Sequence, residues 1–561
     1  MIQDTLFRLV AQAVRSACPE LGLAPEDAPD PELTRPRLKE HGDWSTNVAL
    51  VLASRLGRPP RSVAEAVARH LPPTDLVERV EVAGPGFVNL FLSDRWLHEV
   101  LREVLERGED YGRAPRSGRR AQVEFVSANP TGPLTMGHAR NAALGDALAN
   151  VLEAAGWTVE REYYLNDAGR QMELFGASVE AHYLRLFGRA AEVPEGGYHG
   201  PYLAELARAV AEEVGDSLLR APPEERRARL RDEGMRLVLE GIRATLERFG
   251  VRFDTWFSER TLHESGAIRE AVDRLRRAGF AYERDGAVFF RSTEFGDEKD
   301  RVLIRSTGEP TYFAADCAYL LHKFGRGFDR LVYVWGADHH GAVKRLKGAA
   351  QAFGFDPDAV DFVLYQLVSL YRGGQPVRMS KRTGELVSLD EVLDEVGPDA
   401  TRYGLVSRSA DSPLDFDIEE AKRQSLENPV YYVQYAHARI SSLLRVAREQ
   451  GVELKPWPEV DLGLLREEAE LDLLRKLSEL PEVVQTAAAS LGPHRLTRYA
   501  EEVAAAFHRF YTDHRVISDD EPLTQARLWL AVGTRQVVAT ALRLIGVSAP
   551  ESMERIGGGQ A

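Results

Sequence analysis

The stretch AQVEFVSANPTGPLTMGHARNAALGDALANVLEAAGW, residues 121–157, decides the fold. Its first residues are β-branched and aromatic, the composition of a strand, and its last twenty repeat Ala and Leu with helical period. Between them lies a loop rich in Pro and Gly that reaches His138 as the helix begins. Strand, loop and helix open an α/β unit, and TVEREYYLND at 158–167 supplies the second strand of a βαβ crossover. A Gly-rich loop at a helix N-terminus presents N–H groups and the positive end of the helix dipole, so it favours phosphate. Nucleotide binding is the first reading. No G-x-x-x-x-G-K-[ST] stretch occurs and no G-x-G-x-x-G follows a strand, which disfavours the P-loop and dinucleotide folds.

Outward from this unit, residues 170–250 are helical and charge-rich, interrupted by PEGGYHGPY at 194–202, and read as an insertion. DRLVYVWGADHHG at 329–341 is a nearly unbroken apolar run ending in Asp338, His339 and His340. Buried parallel strands have that pattern, and ligands in such sheets bind beyond the strand C-termini. Upstream, Ile2, Leu6, Val10 and Val14 recur every fourth residue as on an amphipathic helix. VERVEVAGPGFVNLFLS at 77–93 reads as strands closed by a Gly-Pro-Gly turn, and RAPRSGRR at 113–120 as a linker. From 427 onward the pattern is helical, with Asn428 as N-cap and Pro429 at the first helical position.

A chain of 561 residues exceeds what one core supports, so three or four domains are expected. The 44% apolar and 28% charged fractions are those of a globular protein. Cys18 and Cys317 alone make neither a disulfide framework nor a Cys-rich zinc site, and both are expected as small buried residues. A net charge of −15 argues against bulk nucleic-acid binding while leaving room for a local basic face. The start of the chain reads as a helix rather than a signal peptide, and no apolar run approaches the roughly 20 residues that span a bilayer, so a cytoplasmic enzyme is expected.

SANPTGPLTMGHARN at 127–141 resembles the HIGH region of class I aminoacyl-tRNA synthetases, and RMSKRTG at 378–384 resembles their KMSKS loop. GDWSTNVAL, VEFVSANPTGPL, YYLNDAGRQ, TYFAADCAY, FDRLVYVWGADHHG, NPVYYVQYAHARI and LIGVSAPE resemble the bacterial-type arginyl-tRNA synthetase family in particular. The resemblance implies an α/β fold: a Rossmann-like class I catalytic domain over 116–395 with the helical insertion at about 170–250. It further implies an N-terminal tRNA-contacting α+β domain over 1–115, a connecting stem-contact segment over 396–425 and an all-α anticodon-binding domain over 426–561. The implied substrates are L-arginine, ATP with Mg2+ and tRNA(Arg), without zinc, an organic cofactor or a membrane partner, and the implied enzyme is a monomer. The implied reaction forms arginyl-adenylate and passes arginine to the 2′-hydroxyl of the terminal adenosine.

In-line attack of a carboxylate on the α-phosphorus needs no covalent enzyme intermediate, so catalysis is positioning and charge stabilisation. Gly137 allows close backbone approach and His138 hydrogen-bonds phosphate oxygens. Thr135 replaces the motif's first histidine, a hydroxyl that carries no positive charge. Lys381 matches the second motif's lysine, with Arg378 and Arg382 replacing its first lysine and last serine, and Ser388 and Glu391 are spaced as a capping box. The resemblance assigns ATP to Pro130, Gly132, Gly137, His138, Met379, Ser380, Lys381 and Arg382, with Thr135, His138 and Lys381 catalytic.

A guanidinium is selected by carboxylates placed for charge-assisted pairing, and Glu124 and Asp316 are the candidates. Glu124 lies amid apolar strand neighbours and needs a partner, because an unpaired buried charge is costly. The resemblance assigns Glu124, Asn129, Tyr312 and Asp316 to arginine, and His339 stands where some relatives carry Gln. Lysine would leave carboxylate oxygens unpaired, giving discrimination of roughly four orders of magnitude without an editing site. For tRNA the resemblance points to Phe87 and Asn89 on one strand face. On the C-terminal helix, Tyr432, Tyr435 and Arg439 share a face suited to unpaired bases. Two rivals remain open at this level: a class I synthetase for another amino acid, and a synthetase-like arginine sensor or RNA scaffold.

Overall fold

A computed structural model describes residues 2–36, 38–377 and 387–553. They form two compact units, one of residues 1–108, 451–478 and 509–534, the other of residues 109–450, 479–508 and 535–561. No helix among the described residues is long and apolar enough to cross a membrane.

In the first unit, a four-stranded antiparallel sheet orders Leu33–Thr34, Trp44–Thr46, Phe87–Leu92 and Val77–Ala83 side by side. Helix Ile2–Leu21 buries Leu6, Val10 and Val14, the expected apolar stripe, with Cys18 buried beside them. The hairpin turns where the sequence places Gly-Pro-Gly: Gly86 has φ +155°, and a Cβ there would come within 3.0 Å of Pro60. Helix Asp94–Arg107 packs on Glu468–Ser478, and His98 Nε2 lies 2.8 Å from the Leu465 carbonyl.

The second unit is built on five parallel strands: β1 (Arg120–Glu124), β2 (Thr158–Leu165), β3 (Thr255–Ser258), β4 (Arg330–Gly336) and β5 (Val360–Tyr365). Their spatial order is β5-β4-β1-β2-β3, a Rossmann-like order whose topological switch lies between β1 and β4. The crossover from β1 to β2 is helix α1 (Met136–Ala154), rich in Ala and Leu and buried along nearly its whole length, with Arg140, Asn141 and Asp146 among its buried residues. It lies so close to the sheet end that a Cβ on Gly145 would come within 2.2 Å of the Phe125 ring. The stretch 113–120, expected as a linker, is docked instead: Ala114 N donates to Ala154 O and Ser117 N to Gly156 O, both at 2.8 Å.

The insertion is helical as expected, with helices Arg170–Leu186, Pro201–Val214 and Pro223–Arg248. Helix α2 (Tyr312–Gly325) covers one sheet face, where Tyr319, Leu331, Tyr333, Leu346 and Val360 share a core with Cys317. Helix α3 (Pro398–Val406) precedes α4 (Pro429–Glu449). Asn428 holds the N-cap position of α4, but its amide donates to the Ala421 and Arg423 carbonyls, at 3.1 and 2.8 Å, rather than capping the helix. The carboxamide nitrogen instead ties the helix start to the preceding turn.

Candidate active site

The site begins where β1 ends. Val126 and Ser127 have φ +64° and +41°, two successive non-glycine residues in the left-handed region, a costly conformation that persists only where neighbours enforce it. Asn141 of α1 enforces it: Oδ1 accepts from Val126 N at 2.7 Å while Nδ2 donates to the Val334 carbonyl of β4 at 2.9 Å. Tyr163 of β2 donates to the Ala128 carbonyl at 2.9 Å. One loop is therefore held by the two strands flanking β1 and by the crossover helix. Tyr202, at the start of insertion helix Pro201–Val214, donates to the Thr131 carbonyl at 2.7 Å. Its ring atoms would stand 3.3–3.5 Å from a Cβ on Gly132, so glycine is what admits them. Pro130 is buried and Asn129 exposed.

Thr135 is the N-cap of α1 and forms a capping box with His138. Thr135 N donates to His138 Nδ1 at 3.1 Å, which places the proton of the neutral imidazole on Nε2. The hydroxyl also meets Nδ1, at 3.2 Å. Thr135 thus fixes the ring rather than replacing the missing histidine's charge. A Cβ on Gly137 would meet no atom nearer than 3.8 Å, so the backbone there is open to close approach. On the second motif, Met379, Ser380, Lys381 and Arg382 lie outside the described residues. Its downstream flank is anchored on the first motif: Ser388 pairs antiparallel with Thr135, and Leu389 N donates to the Leu134 carbonyl at 2.8 Å. The Ser388–Glu391 capping box is formed, with Ser388 N to Glu391 Oε2 at 2.7 Å and Glu391 N to Ser388 Oγ at 3.2 Å.

Next to this loop the structure gathers acidic groups from three segments: Glu124 at the end of β1, Asp316 on α2 and Glu259 just after β3. Burial and the carboxylates of Glu124 and Glu259 push the Asp316 carboxyl up to about 7, against the pull of Arg345 and Lys323. Burial also raises Glu259, opposed by hydrogen bonds from His263 and Tyr164. The partner that Glu124 requires is Lys323, whose Nζ is 2.5 Å from Oε2, while Ser127 Oγ lies 3.4 Å from Oε1. Tyr312, Asp316, Tyr319 and Lys323, spaced four, three and four apart, form one face of α2. Burial deepens along it: Tyr312 is 62% exposed, Asp316 half-buried, Tyr319 buried and Lys323 fully enclosed. His339 follows β4 as expected but is largely exposed, its Nε2 3.6 Å from Asp338 Oδ2 and its ring 5.7 Å from that of Trp335. Sequence reasoning misses Lys323, Glu259 and Tyr164. The first was signalled by the helical spacing from Asp316; nothing local marks the other two.

In the first unit, Phe87 is 40% exposed while Asn89 is buried, its Oδ1 accepting from Ser45 Oγ at 2.7 Å. Tyr432, Tyr435 and Arg439 are half-buried along α4. The His508 ring lies tilted against those of Tyr432 and Tyr435, centres 4.9 and 5.9 Å apart, and the Arg439 guanidinium lies 5.7 Å from the Tyr435 ring centre.

Comparison with known proteins agrees with this architecture. Residues 100–186 and 227–426 match the family described as tRNA synthetases class I (R), catalytic domain, residues 5–92 the arginyl tRNA synthetase N terminal domain, and residues 433–553 the DALR anticodon binding domain. The arginine–tRNA ligase of Carboxydothermus hydrogenoformans is 50% identical over 97% of this chain and 98% of its own. That of Desulforudis audaxviator is 51% identical over the same shares. The solved arginyl-tRNA synthetase of Thermus thermophilus superposes with a TM-score of 0.77 at 25% identity, over 99% of this chain and 100% of its own.

Proposed function

Because this chain belongs to the arginyl-tRNA synthetase family and is an arginine–tRNA ligase, we propose how its residues divide the work. The carboxylate of arginine attacks the α-phosphorus of ATP, pyrophosphate leaves, and the 2′-hydroxyl of the tRNA's terminal adenosine then displaces AMP from the carbonyl carbon. His138 donates from Nε2 to phosphate oxygens as charge grows there, and Thr135 holds the ring for that purpose. The N-terminus of α1 and the open backbone at Gly137 receive the nucleotide, with Pro130 and Gly132 shaping the loop. Mg2+ accompanies ATP as part of the substrate and shields phosphate charge. Lys381, with Met379, Ser380 and Arg382 beside it, neutralises the leaving phosphates; Lys381 is seven residues from Ser388 (388 − 381), which is bridged to Thr135.

Arginine enters beside this loop. The single observation that carries the reading is the convergence of Glu124, Asp316 and Glu259 at the C-terminal end of the sheet, next to the capped N-terminus of α1. Such a pocket suits a delocalised cation and penalises an apolar side chain. Tyr312 and Asn129 close over the substrate, with His339 at the rim. Phe87 stacks on a tRNA base while Asn89 holds its strand through Ser45, and Tyr432, Tyr435 and Arg439 meet the anticodon. The enzyme works as a cytoplasmic monomer, and activation depends on bound tRNA.

ATP–pyrophosphate exchange tests this. Exchange is expected with arginine, stimulated by tRNA(Arg), and lost in Lys381→Ala. Faster exchange with any other amino acid overturns the substrate reading, and wild-type rates in Lys381→Ala remove that residue from the mechanism.

A further inference from the structure

Beneath the acidic pocket lies a cation that no step of the reaction uses. Lys323 is fully enclosed, its Nζ 2.5 Å from Glu124 Oε2 and set over the rings of Tyr319 and Tyr333, 4.2 and 3.9 Å from their centres. Enclosing an ammonium is expensive, and an apolar side chain of similar volume often serves stability as well or better. Stability alone therefore does not account for a charge here. The other buried carboxylate on this face has direct partners of its own. Glu162 stands opposite Glu124 on β2 and already accepts from Tyr319 and from Arg326, the latter at 2.5 Å. Lys323 feels the charge of both carboxylates but makes its hydrogen bond to Glu124.

The pair has a direction. Oε2 faces inward to the ammonium, and Oε1 is the oxygen on the Ser127 side, at the loop that precedes the nucleotide site. We propose that Lys323 is a positioning residue for arginine selection, fixing which oxygen Glu124 offers to the guanidinium. The proposal rests on the reading that Glu124 contacts arginine. Without Lys323, nothing draws Oε2 inward, and the carboxylate turns away from the orientation in which Oε1 faces the Ser127 side. The nucleotide contacts at the α1 N-terminus do not pass through this pair.

The test is steady-state exchange by the full-length enzyme with tRNA, varying arginine and ATP separately, in Lys323→Met, Lys323→Arg, Glu124→Gln and the double variant Lys323→Met/Glu124→Gln. Lys323→Met is expected to raise KM for arginine about tenfold or more, the scale of one buried charged contact, with KM for ATP unchanged. Lys323→Arg recovers most of the loss, and the double variant resembles Glu124→Gln alone. Equal increases in both KM values, or losses that multiply in the double variant, overturn the proposal. If Lys323→Met does not fold, Lys323→Gln carries the same comparison. An unchanged arginine KM in Glu124→Gln refutes instead the underlying placement of Glu124, whichever way the Lys323 variants behave.

Discussion

Asp316 illustrates how a residue can be recognisable in sequence while its chemistry is not. Its place in TYFAADCAY marks it as a candidate for the guanidinium, but its carboxyl standing at about 7 results from burial beside Glu124 and Glu259, which reach it from other segments. At pH 6 the group is mostly protonated, and arginine needs it ionised. Binding therefore releases a proton, and KM for arginine is expected to fall as pH rises from about 6 to about 8. In the absence of substrate the sign for stability is opposite. A carboxyl raised from 3.8 to about 7 in the fold binds more protons folded than unfolded, so its contribution diminishes as pH climbs through that window. An arginine KM that is flat from pH 6 to 8, or one whose slope survives in Asp316→Asn, would remove Asp316 from the contact.

Helix α1 carries two expectations at the scale of an element. Gly145 sits mid-helix, where alanine is normally better by about 1 kcal/mol. Against Phe125 a Cβ has no room, and overpacking costs about 1–3 kcal/mol, so Gly145→Ala is expected to lower the melting temperature despite its helix propensity. A rise in melting temperature would mean that the ring moves aside freely. At the helix start, Thr135→Ala removes both the cap, worth about 1 kcal/mol, and the hydroxyl beside His138 Nδ1. Single-turnover arginine activation should slow in Thr135→Ala and recover in Thr135→Ser; equal rates in the two would separate the cap from catalysis. The strand, the loop and the helix were all legible in residues 121–157, because periodicity and turn chemistry are local properties. The left-handed backbone at Val126 and Ser127 was not, since a β-branched residue argues against it and its holders, Asn141 on Val126 N and Tyr164 N on Ser127 Oγ, are brought there by the fold.

At the scale of the molecule, the catalytic unit is tied together by one buried side chain. Arg402 of α3 bonds Asp146 of α1, the Phe249 carbonyl at 3.0 Å and the Ile545 carbonyl at 3.2 Å. The crossover helix, the end of the insertion and the C-terminal segment thereby meet at a single guanidinium. Arg402→Met is expected to cost about 3–5 kcal/mol, as for one partner lost from a buried ion pair, and to appear as an earlier thermal transition. An unshifted melting curve would show that these elements hold without it. The sequence by itself determined the α/β class, the helical character of residues 170–250 and the family, because these depend on spacing along the chain and on residue chemistry at each position. Only the tertiary structure decided that Glu124 shares its charge with Lys323, 199 residues away, that Glu259 joins the pocket, and that Thr135 serves His138. Ion pairing and desolvation depend on distance and burial in space, which no local pattern encodes.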